Sequence, residues 1–136
     1  MKNHSIALIP GDGIGTAVID AAWAVLQAAA KKQGTFTLSA TTFPWSCAFY
    51  KETGAMMPAD GIEELRGFDA ILLGAVGWPA EVPDSVSLHG LLLPIRKAFV
   101  QYANIRPHRL LPGVEGPLKK DEFDILCIRE NTEGEY

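Results

Sequence analysis

The sequence predicts an α/β fold, in which strands and helices alternate around a mainly parallel sheet. Two short runs, residues 5–9 and 69–76, are continuously apolar after their first residues, Ser5 and Asp69, as expected of parallel strands that are covered on both faces. Between them, residues 16–32 are rich in alanine and place apolar side chains at helical spacing, which predicts a helix with one apolar face. Strand, helix and strand in this order are typical of an α/β domain.

The same alternation continues along the chain. Gly34 is expected to stop the first helix, residues 35–42 predict a second strand, and residues 58–65 suit a short helix with a proline in its first turn. A third helix is expected over about residues 88–100, and two further strands over 103–111 and 124–129. Because the composition changes near Gln101, we expect a first α/β domain at residues 1–101 and the incomplete start of a second at 102–136.

Composition narrows the functional classes. The net charge of −4 gives no general attraction to nucleic acid or anionic membranes, and no apolar run approaches the roughly 20 residues that span a bilayer. We therefore expect a cytoplasmic protein with neither kind of partner. Cys47 and Cys127 lie far apart without a CxxC motif, so two buried free thiols are favoured over a disulfide.

A glycine-rich loop, Gly11-Asp12-Gly13-Ile14-Gly15, separates the first strand from the first helix. Glycines there allow a ligand to approach the backbone, and a helix N-terminus offers free N–H groups to an anion. The third glycine comes one residue too early for the GxGxxG fingerprint, and no acidic residue ends the second strand, which disfavours a Rossmann site. A turn required only for packing the strand against the helix is the alternative.

Arginines form the second candidate group. Arg96, Arg106 and Arg129 lie in the last third of an acidic chain, and guanidinium groups bind carboxylates in a bidentate manner, which suits a dicarboxylate ligand. Arg109 follows Arg106 by three residues, so a strand would direct it to the opposite face, and we interpret it as structural. Each arginine alone could equally be a solvated surface charge.

The last eight residues, 129–136, are dense in polar groups and end at Tyr136. A phenol near a cation can donate a proton in catalysis, although spacing alone more often indicates an ordinary terminal tyrosine. The glutamates of this segment are interpreted as solvated charges rather than metal ligands. Because nothing follows to support a strand at 124–129, we expect the chain to be a fragment.

Four segments, taken in order, resemble the isocitrate/3-isopropylmalate dehydrogenase family of β-decarboxylating dehydrogenases. They are IALIPGDGIG, GAVGWP, GLLLPIRKAF with QYANIRPHR, and IRENTEGEY, and together they extend over residues 5–136. The GAVGWP and GLLLPIR segments are most similar to the tartrate/D-malate branch of the family. Residues 91–93 are all leucine, which argues against an isocitrate carboxylate at this place because a buried charge without a partner is costly. A 3-isopropylmalate-type enzyme is the alternative within the family, and the bulk of Trp78 either narrows the pocket or anchors its loop.

The resemblance implies a site and a reaction. Arg96, Arg106 and Arg129 would hold the substrate carboxylates, and Tyr136 would protonate the enolate. Ile14, Ala75 and Val76 would border the nicotinamide of NAD. Hydride would pass from C2 of a malate- or tartrate-like 2-hydroxy dicarboxylate to NAD, and Mg2+ or Mn2+ would then stabilise the enolate formed on loss of CO2.

The resemblance also implies an isopropylmalate-dehydrogenase-like, non-Rossmann sheet with flanking helices, here truncated, and a homodimer in the full-length form. In the family, the metal-binding aspartates, the catalytic lysine and the adenosine-binding segment come later in the chain, so no metal ligand is assigned here. We accordingly expect the 136-residue chain to be inactive by itself. A non-catalytic, dicarboxylate-binding or dimerising remnant is the alternative from another class, and an unrelated α/β binding module is a third.

Overall fold

The computed structural model describes residues 1–116, 118 and 122–132. It divides into two compact units, Met1–Ile95 and Arg96–Tyr136. The expected domain division at residues 1–101 and 102–136 stays a prediction. None of the helices in these described ranges is long and apolar enough to cross a membrane.

The first unit contains a three-stranded parallel sheet. Its strands are β1 (Lys2–Gly11), β2 (Phe36–Thr42) and β3 (Ala70–Ala75), in the order β2-β1-β3. Ala7 and Ile9 of the central strand β1 are fully buried, since helices and both neighbouring strands cover them. The α/β fold with a parallel sheet and flanking helices, predicted from the apolar runs, is confirmed.

One detail of the sheet differs from the expectation. The continuous apolar run of β3 predicted a strand buried on both faces, but β3 is the last strand on its side of the described sheet, and Leu73 is 38% exposed. A strand with one neighbour keeps one edge and part of its faces accessible. The apolar pattern therefore identified the strand but overestimated its burial.

The helix α1 (Ile14–Gln33) follows β1 directly. Gly34 ends it in the left-handed conformation with φ 67°, and its N–H donates to the Ala30 carbonyl at 2.9 Å, as the glycine stop predicts. Ile19 is 2% exposed, whereas Val25 on the same helix is 68% exposed. Only part of the apolar face predicted for this helix is therefore packed within the first unit.

Shorter helices complete the first unit. The helix α2 (Cys47–Thr53) was not predicted from the sequence; its N-cap Ser46 accepts a hydrogen bond from the Phe49 N–H at 3.0 Å. The helix α3 (Gly61–Leu65) begins three residues later than Pro58 suggested. A polar cap such as Ser46 is a weak signal in a single sequence, whereas Asp60, the N-cap residue of α3, makes no side-chain cap hydrogen bond.

The helix predicted at 88–100 is three consecutive segments. They are α4 (Asp84–Ser87), a π-helical turn (Leu88–Leu92) and α5 (Leu93–Ala98). The Leu93 N–H donates to the Leu88 carbonyl, five residues earlier. Pro94 follows directly; it has no N–H with which to continue an α-helical ladder, and a widened turn accommodates it.

The core of the first unit lies beside these helices. Phe43 packs on Trp45 with ring centroids 4.6 Å apart and on Phe68 at 5.6 Å. Trp45 is 2% exposed, and Leu65 and Leu91 are fully buried. Aromatic rings of this size contribute much of the apolar area that a small unit removes from water.

The second unit contains an antiparallel pair, β4 (Ala103–Arg109) and β5 (Asp124–Glu130). Its register places Asn104 opposite Arg129, Arg106 opposite Cys127, and Arg109 opposite Asp124. The side-chain amide of Asn131 donates to the Gln101 carbonyl at 3.1 Å and so ties the end of β5 to the segment before β4. The two strands predicted here are confirmed.

Both cysteines are free thiols, as expected from their spacing. Cys47 is buried, but Cys127 is exposed on β5, so the expected burial of Cys127 is wrong. A two-stranded ribbon has no second layer within its own unit and leaves such a side chain accessible.

Candidate functional site

A cleft of about 370 Å³ lies where β1 and β3 end. Its lining residues are Gly11, Asp12, Gly13, Ala48, Gly77 and Trp78. Parallel α/β sheets bind ligands outside the carboxyl ends of their strands, and this cleft contains the glycine loop that the sequence singled out. A larger cleft of about 460 Å³ lies between the end of α1 and β2, but none of the candidate residues lines it.

The three glycines of the loop have different structural roles. A Cβ on Gly15 would lie 2.1 Å from the Pro10 carbonyl oxygen, and one on Gly11 would lie 2.1 Å from the Ala75 carbonyl oxygen. Gly13, in contrast, has φ 52°, and a Cβ added to it would meet no atom within 4 Å. Gly11 and Gly15 thus permit close packing between β1, α1 and β3, while Gly13 leaves bare backbone facing open space at the N-terminus of α1.

Asp12 joins three segments of the cleft. Its Oδ2 atom accepts hydrogen bonds from the N–H groups of Cys47 at 3.0 Å and Gly77 at 3.1 Å, and its Oδ1 atom accepts one from Ala48 at 3.3 Å. Burial raises the pKa of this carboxyl, but the backbone hydrogen bonds from Cys47, Gly77 and Ala48 outweigh it, so the pKa is lower than its ordinary value. The carboxylate form is therefore the one that the fold stabilises.

Cys47 begins α2 beside this carboxylate. Burial, together with the hydrogen bond and the negative charge of Asp12, raises the pKa of the Cys47 thiol to about 11. A thiol with such a pKa is almost entirely protonated at neutral pH and is a poor nucleophile. Cys47 is therefore a packing residue of the cleft.

Trp78 forms one side of the cleft and is 41% exposed. The Lys51 ammonium lies 4.8 Å from the centroid of its ring and 2.6 Å from a carboxylate oxygen of Glu81. The Trp78 carbonyl also accepts from the Val82 N–H at 2.8 Å. The contacts with α2 support the interpretation of Trp78 as a loop anchor, while the narrowing of a substrate pocket by its side chain stays a prediction.

The three predicted cofactor-binding residues lie at the same end of the sheet. Ile14 is the first residue of α1 and is 72% exposed. Ala75 ends β3 opposite Gly11, and its carbonyl accepts from the Asp12 N–H at 2.6 Å. Val76 lies against Gly11, since its Cγ2 atom would be 2.8 Å from a Cβ there.

The arginines lie in the second unit. The register of β4 and β5 places Arg106 and Arg129 on one face of the pair, and Arg109 on the other, where its Nε is 4.0 Å from Asp124. The expected opposition of Arg106 and Arg109 is thus confirmed. Arg96 lies in α5, and its carbonyl accepts from the Gln101 N–H at 2.9 Å.

Tyr136 and the leucines at 91–93 were also expected to contribute to the site. Tyr136 lies outside the described residues, as do Glu133 and Glu135. Leu91 is fully buried in the core of the first unit, while Leu92 and Leu93 are half-buried. Leu91 therefore offers no accessible surface to a ligand, and the interpretation of residues 91–93 as part of a substrate pocket, which stays a prediction, rests on the other two leucines.

Sequence reasoning missed Asp12 and the whole of α2. Their signals were an acidic residue between two glycines at a strand end and Ser46 as a helix N-cap. Neither signal shows which backbone groups the carboxylate accepts from, because its partners are 35 and 65 residues away in the sequence.

The first unit is an α/β unit with a glycine loop and a cleft at the carboxyl ends of its strands, the place where open α/β sheets commonly bind ligands. The model of the isocitrate/isopropylmalate dehydrogenase family matches residues 5–136, and the chain belongs to this family. The fold agrees, since the chain superimposes on isocitrate dehydrogenase from Methylococcus capsulatus with a TM-score of 0.73, at 27% identity over 96% of this chain and 35% of that one.

Curated relatives are closer in sequence. The chain is 53% identical to D-malate dehydrogenase (decarboxylating) of Escherichia coli and 50% identical to a probable tartrate dehydrogenase/decarboxylase of Agrobacterium vitis, in each case over its whole length. It is 52% identical to tartrate dehydrogenase/decarboxylase of Pseudomonas putida. The chain spans 38% or 39% of the length of these relatives. The predicted resemblance to the tartrate/D-malate branch is confirmed.

Proposed function

We propose that the chain is part of a tartrate/D-malate-type dehydrogenase, which oxidises a small 2-hydroxy dicarboxylate with NAD and a divalent metal and then decarboxylates it. The observation that carries the proposal is the shared face of Arg106 and Arg129, in a chain 50–53% identical to dehydrogenases named for tartrate and D-malate. Diagonal neighbours on adjacent strands lie about 7–8 Å apart, a separation that two carboxylates of one small molecule can match. We further propose a cytoplasmic homodimer for the full-length form.

The first unit fits NAD at the cleft. The N-terminus of α1 has no side-chain cap, although the Gly15 N–H already donates to the Asp12 carbonyl at 2.9 Å; the start of a helix favours an anionic or polar ligand. Bare backbone at Gly13 and the exposed side chain of Ile14 offer a surface for a flat ring. NAD supplies the hydride acceptor; Ile14, Ala75 and Val76 would border its nicotinamide and keep water from that face.

The described residues offer no comparable site for a divalent metal. Among residues 1–116, 118 and 122–132, no three His, Cys, Asp or Glu side chains are grouped so that they could hold an ion. The described residues therefore do not fit Mg2+ or Mn2+ by themselves. The metal ligands are proposed to come from elsewhere in a longer chain.

The remaining roles belong to charged residues and to Tyr136. Arg106 and Arg129 would each bind a substrate carboxylate through paired N–H donors, and Arg96 would add a third cation. Guanidinium groups remain protonated throughout the pH range of enzyme activity, so they hold the substrate without competing for its protons. Tyr136 is proposed as the acid that protonates the enolate carbon after CO2 leaves.

A calorimetric titration with D-malate tests the arginine face. Arg106→Ala is expected to weaken binding by about 100-fold, because a charge-assisted hydrogen-bonded pair contributes roughly 1.5–3 kcal/mol. Arg109→Ala is the matched control: it removes the same charge from the opposite face, together with an exposed pair with Asp124. Equal affinity losses in the two variants would contradict the assignment.

The substrate class is tested by kinetics on the full-length parent. Steady-state rates with D-malate, tartrate, 3-isopropylmalate and isocitrate should favour the first two. Preference for 3-isopropylmalate would support the alternative enzyme type, and preference for isocitrate would refute the interpretation of Leu92 and Leu93. Dicarboxylate binding without turnover in the full-length parent would support the non-catalytic remnant.

A further inference from the structure

We infer that Asp12 is a positioning residue that holds both walls of the cleft against its floor. The inference deepens the proposed function and rests on it, since it concerns the cleft in which NAD is proposed to bind. Three segments line the cleft. Gly11, Asp12 and Gly13 of the glycine loop are here called its floor, and Ala48 of α2 and Gly77 with Trp78 of the loop after β3 are called its two walls.

Each side is tied to the floor by the same carboxylate. The Ala48 and Cys47 N–H groups, at the start of α2, donate to Oδ1 and Oδ2 of Asp12. The Gly77 N–H, in the loop after β3, donates to Oδ2. Two segments that are far apart in the sequence thus share one acceptor group.

Other contacts do not replace this tie to the floor. The Trp78 backbone N–H also bonds to the Cys47 sulfur, which joins the two walls to each other but not to Asp12. The Asp12 N–H donates to the Ala75 carbonyl at 2.6 Å, which fixes the floor to the end of β3 but not to α2. Lys51 contacts Trp78 and Glu81 at the rim of the cleft, and such exposed contacts contribute little. Charge-assisted bonds from backbone N–H groups to a carboxylate are the stronger ones.

Substitutions at Asp12 should therefore change the cleft in a graded way. Asparagine keeps a single acceptor oxygen, which can serve either the Cys47 and Gly77 N–H groups or that of Ala48 but not both sets. Alanine keeps no acceptor. The order of effects should be Asp12→Ala, then Asp12→Asn, then the unchanged chain.

Asp69 supplies a matched control. Its carboxylate also accepts from a backbone N–H, that of Ser5 at 2.8 Å, but it precedes β3 and so lies at the opposite end of the sheet. Asp69→Asn therefore removes a comparable charge and hydrogen bond without touching the cleft.

The first measurement follows the wall formed by α2, in the 136-residue chain with Cys127→Ser. Asp12→Asn should lower the thiol pKa from about 11, because the Asp12 charge helps to raise it. It should also speed the labelling of Cys47 by an aromatic disulfide reagent about tenfold after the rate is corrected for the thiolate fraction, as expected when one such bond is lost and α2 opens more often. Asp69→Asn should leave both the rate and the pKa unchanged. Equal rates in the Asp12→Asn and Asp69→Asn variants would overturn the inference.

The second measurement is a calorimetric titration of the same chains with NAD+. Asp12→Asn should raise the Kd about tenfold and Asp12→Ala further, while Asp69→Asn leaves it unchanged. NAD+ binding that is equal in all variants would overturn the inference. If the unsubstituted chain binds no NAD+, the proposed cofactor site fails, and the thiol measurement still decides the role of Asp12.

Discussion

At the carboxyl end of the sheet, several positions require glycine because the backbone of a neighbouring segment lies too close for a side chain. A Cβ on Gly74 would lie 2.2 Å from the Pro10 carbonyl oxygen, and Gly11 and Gly15 have equally close neighbours. The obstructing atoms belong to the backbone of β1 and β3, which cannot move aside as a flexible side chain can. The alternative interpretation of the loop, a packing requirement, therefore accounts for Gly11 and Gly15 but not for Gly13.

Gly15→Ala should destabilise the chain by about 3 kcal/mol, since its methyl group would meet backbone atoms of Pro10 and Ala75. Gly34→Ala is the control. It has open space around it and φ 67°, so it should cost only about 1 kcal/mol. Urea denaturation followed by circular dichroism measures both, and equal losses would contradict the packing role of Gly15.

Asp12 should also make the stability depend on pH in the acid range. Its pKa in the folded chain is below the ordinary 3.8, so its contribution is complete at pH values above the ordinary pKa and is lost as the pH falls through the lower, folded-state pKa. The thiol of Cys47, with a pKa of about 11, stays protonated throughout this window.

The free energy of unfolding of the unsubstituted chain should therefore fall more steeply below about pH 4 than that of Asp12→Asn. Urea denaturation at a series of pH values measures the two slopes. Parallel curves for the two chains would show that the carboxylate is not stabilised by its N–H partners.

At the scale of whole helices and strands, only some of the apolar side chains in a periodic pattern pack against other residues. The helix α1 buries Ile19 and Ala30 but leaves Ile14, Val18 and Val25 at least half exposed. In β4 and β5, Ile105 and Ile128 lie opposite each other and are 63% and 68% exposed. Periodicity thus identifies an element and its apolar side chains, but it does not show which of them pack within one unit.

Substitutions on α1 should distinguish its buried apolar residues from its exposed ones. Ile19→Ala should cost about 2–4 kcal/mol because the side chain is 2% exposed, whereas Val25→Ala should cost less than about 0.5 kcal/mol. Thermal and urea unfolding of the 136-residue chain measure both. A large loss on changing Val25 would show that α1 is packed on its other face.

The whole molecule joins a sheet-and-cleft unit to a small ribbon. The residues proposed to border the cofactor lie in Met1–Ile95, and the three arginines proposed to bind substrate lie in Arg96–Tyr136. The chain spans 38% of the length of its D-malate dehydrogenase relative, and the described residues form no metal-binding group. Whether this chain binds a substrate and whether it contains every catalytic residue are therefore two separate questions.

The purified 136-residue chain should bind D-malate but not turn it over. Without metal ligands of its own among residues 1–116, 118 and 122–132, it has no group to stabilise the enolate formed on decarboxylation. Absorbance of NADH in the presence of NAD+, Mn2+ and D-malate or tartrate measures turnover. Detectable NADH formation would contradict this expectation.

The fold and the family could be predicted from the sequence because their signals are local. The apolar runs of β1 and β3, the alanine-rich helix and the four ordered motifs each occupy a few consecutive residues. The opposition of Arg106 and Arg109 was predictable for the same reason, since the alternation of side chains along a strand is a property of that strand alone.

Only the tertiary structure decided which residues of these segments come into contact. It placed the Cys47, Ala48 and Gly77 N–H groups on Asp12 and buried Leu91 in the core. It also set the register that brings Arg129 to the face of Arg106. The physical reason is that periodicity and turn chemistry act over a few residues, whereas these contacts join atoms brought together only when the sheet and the ribbon form.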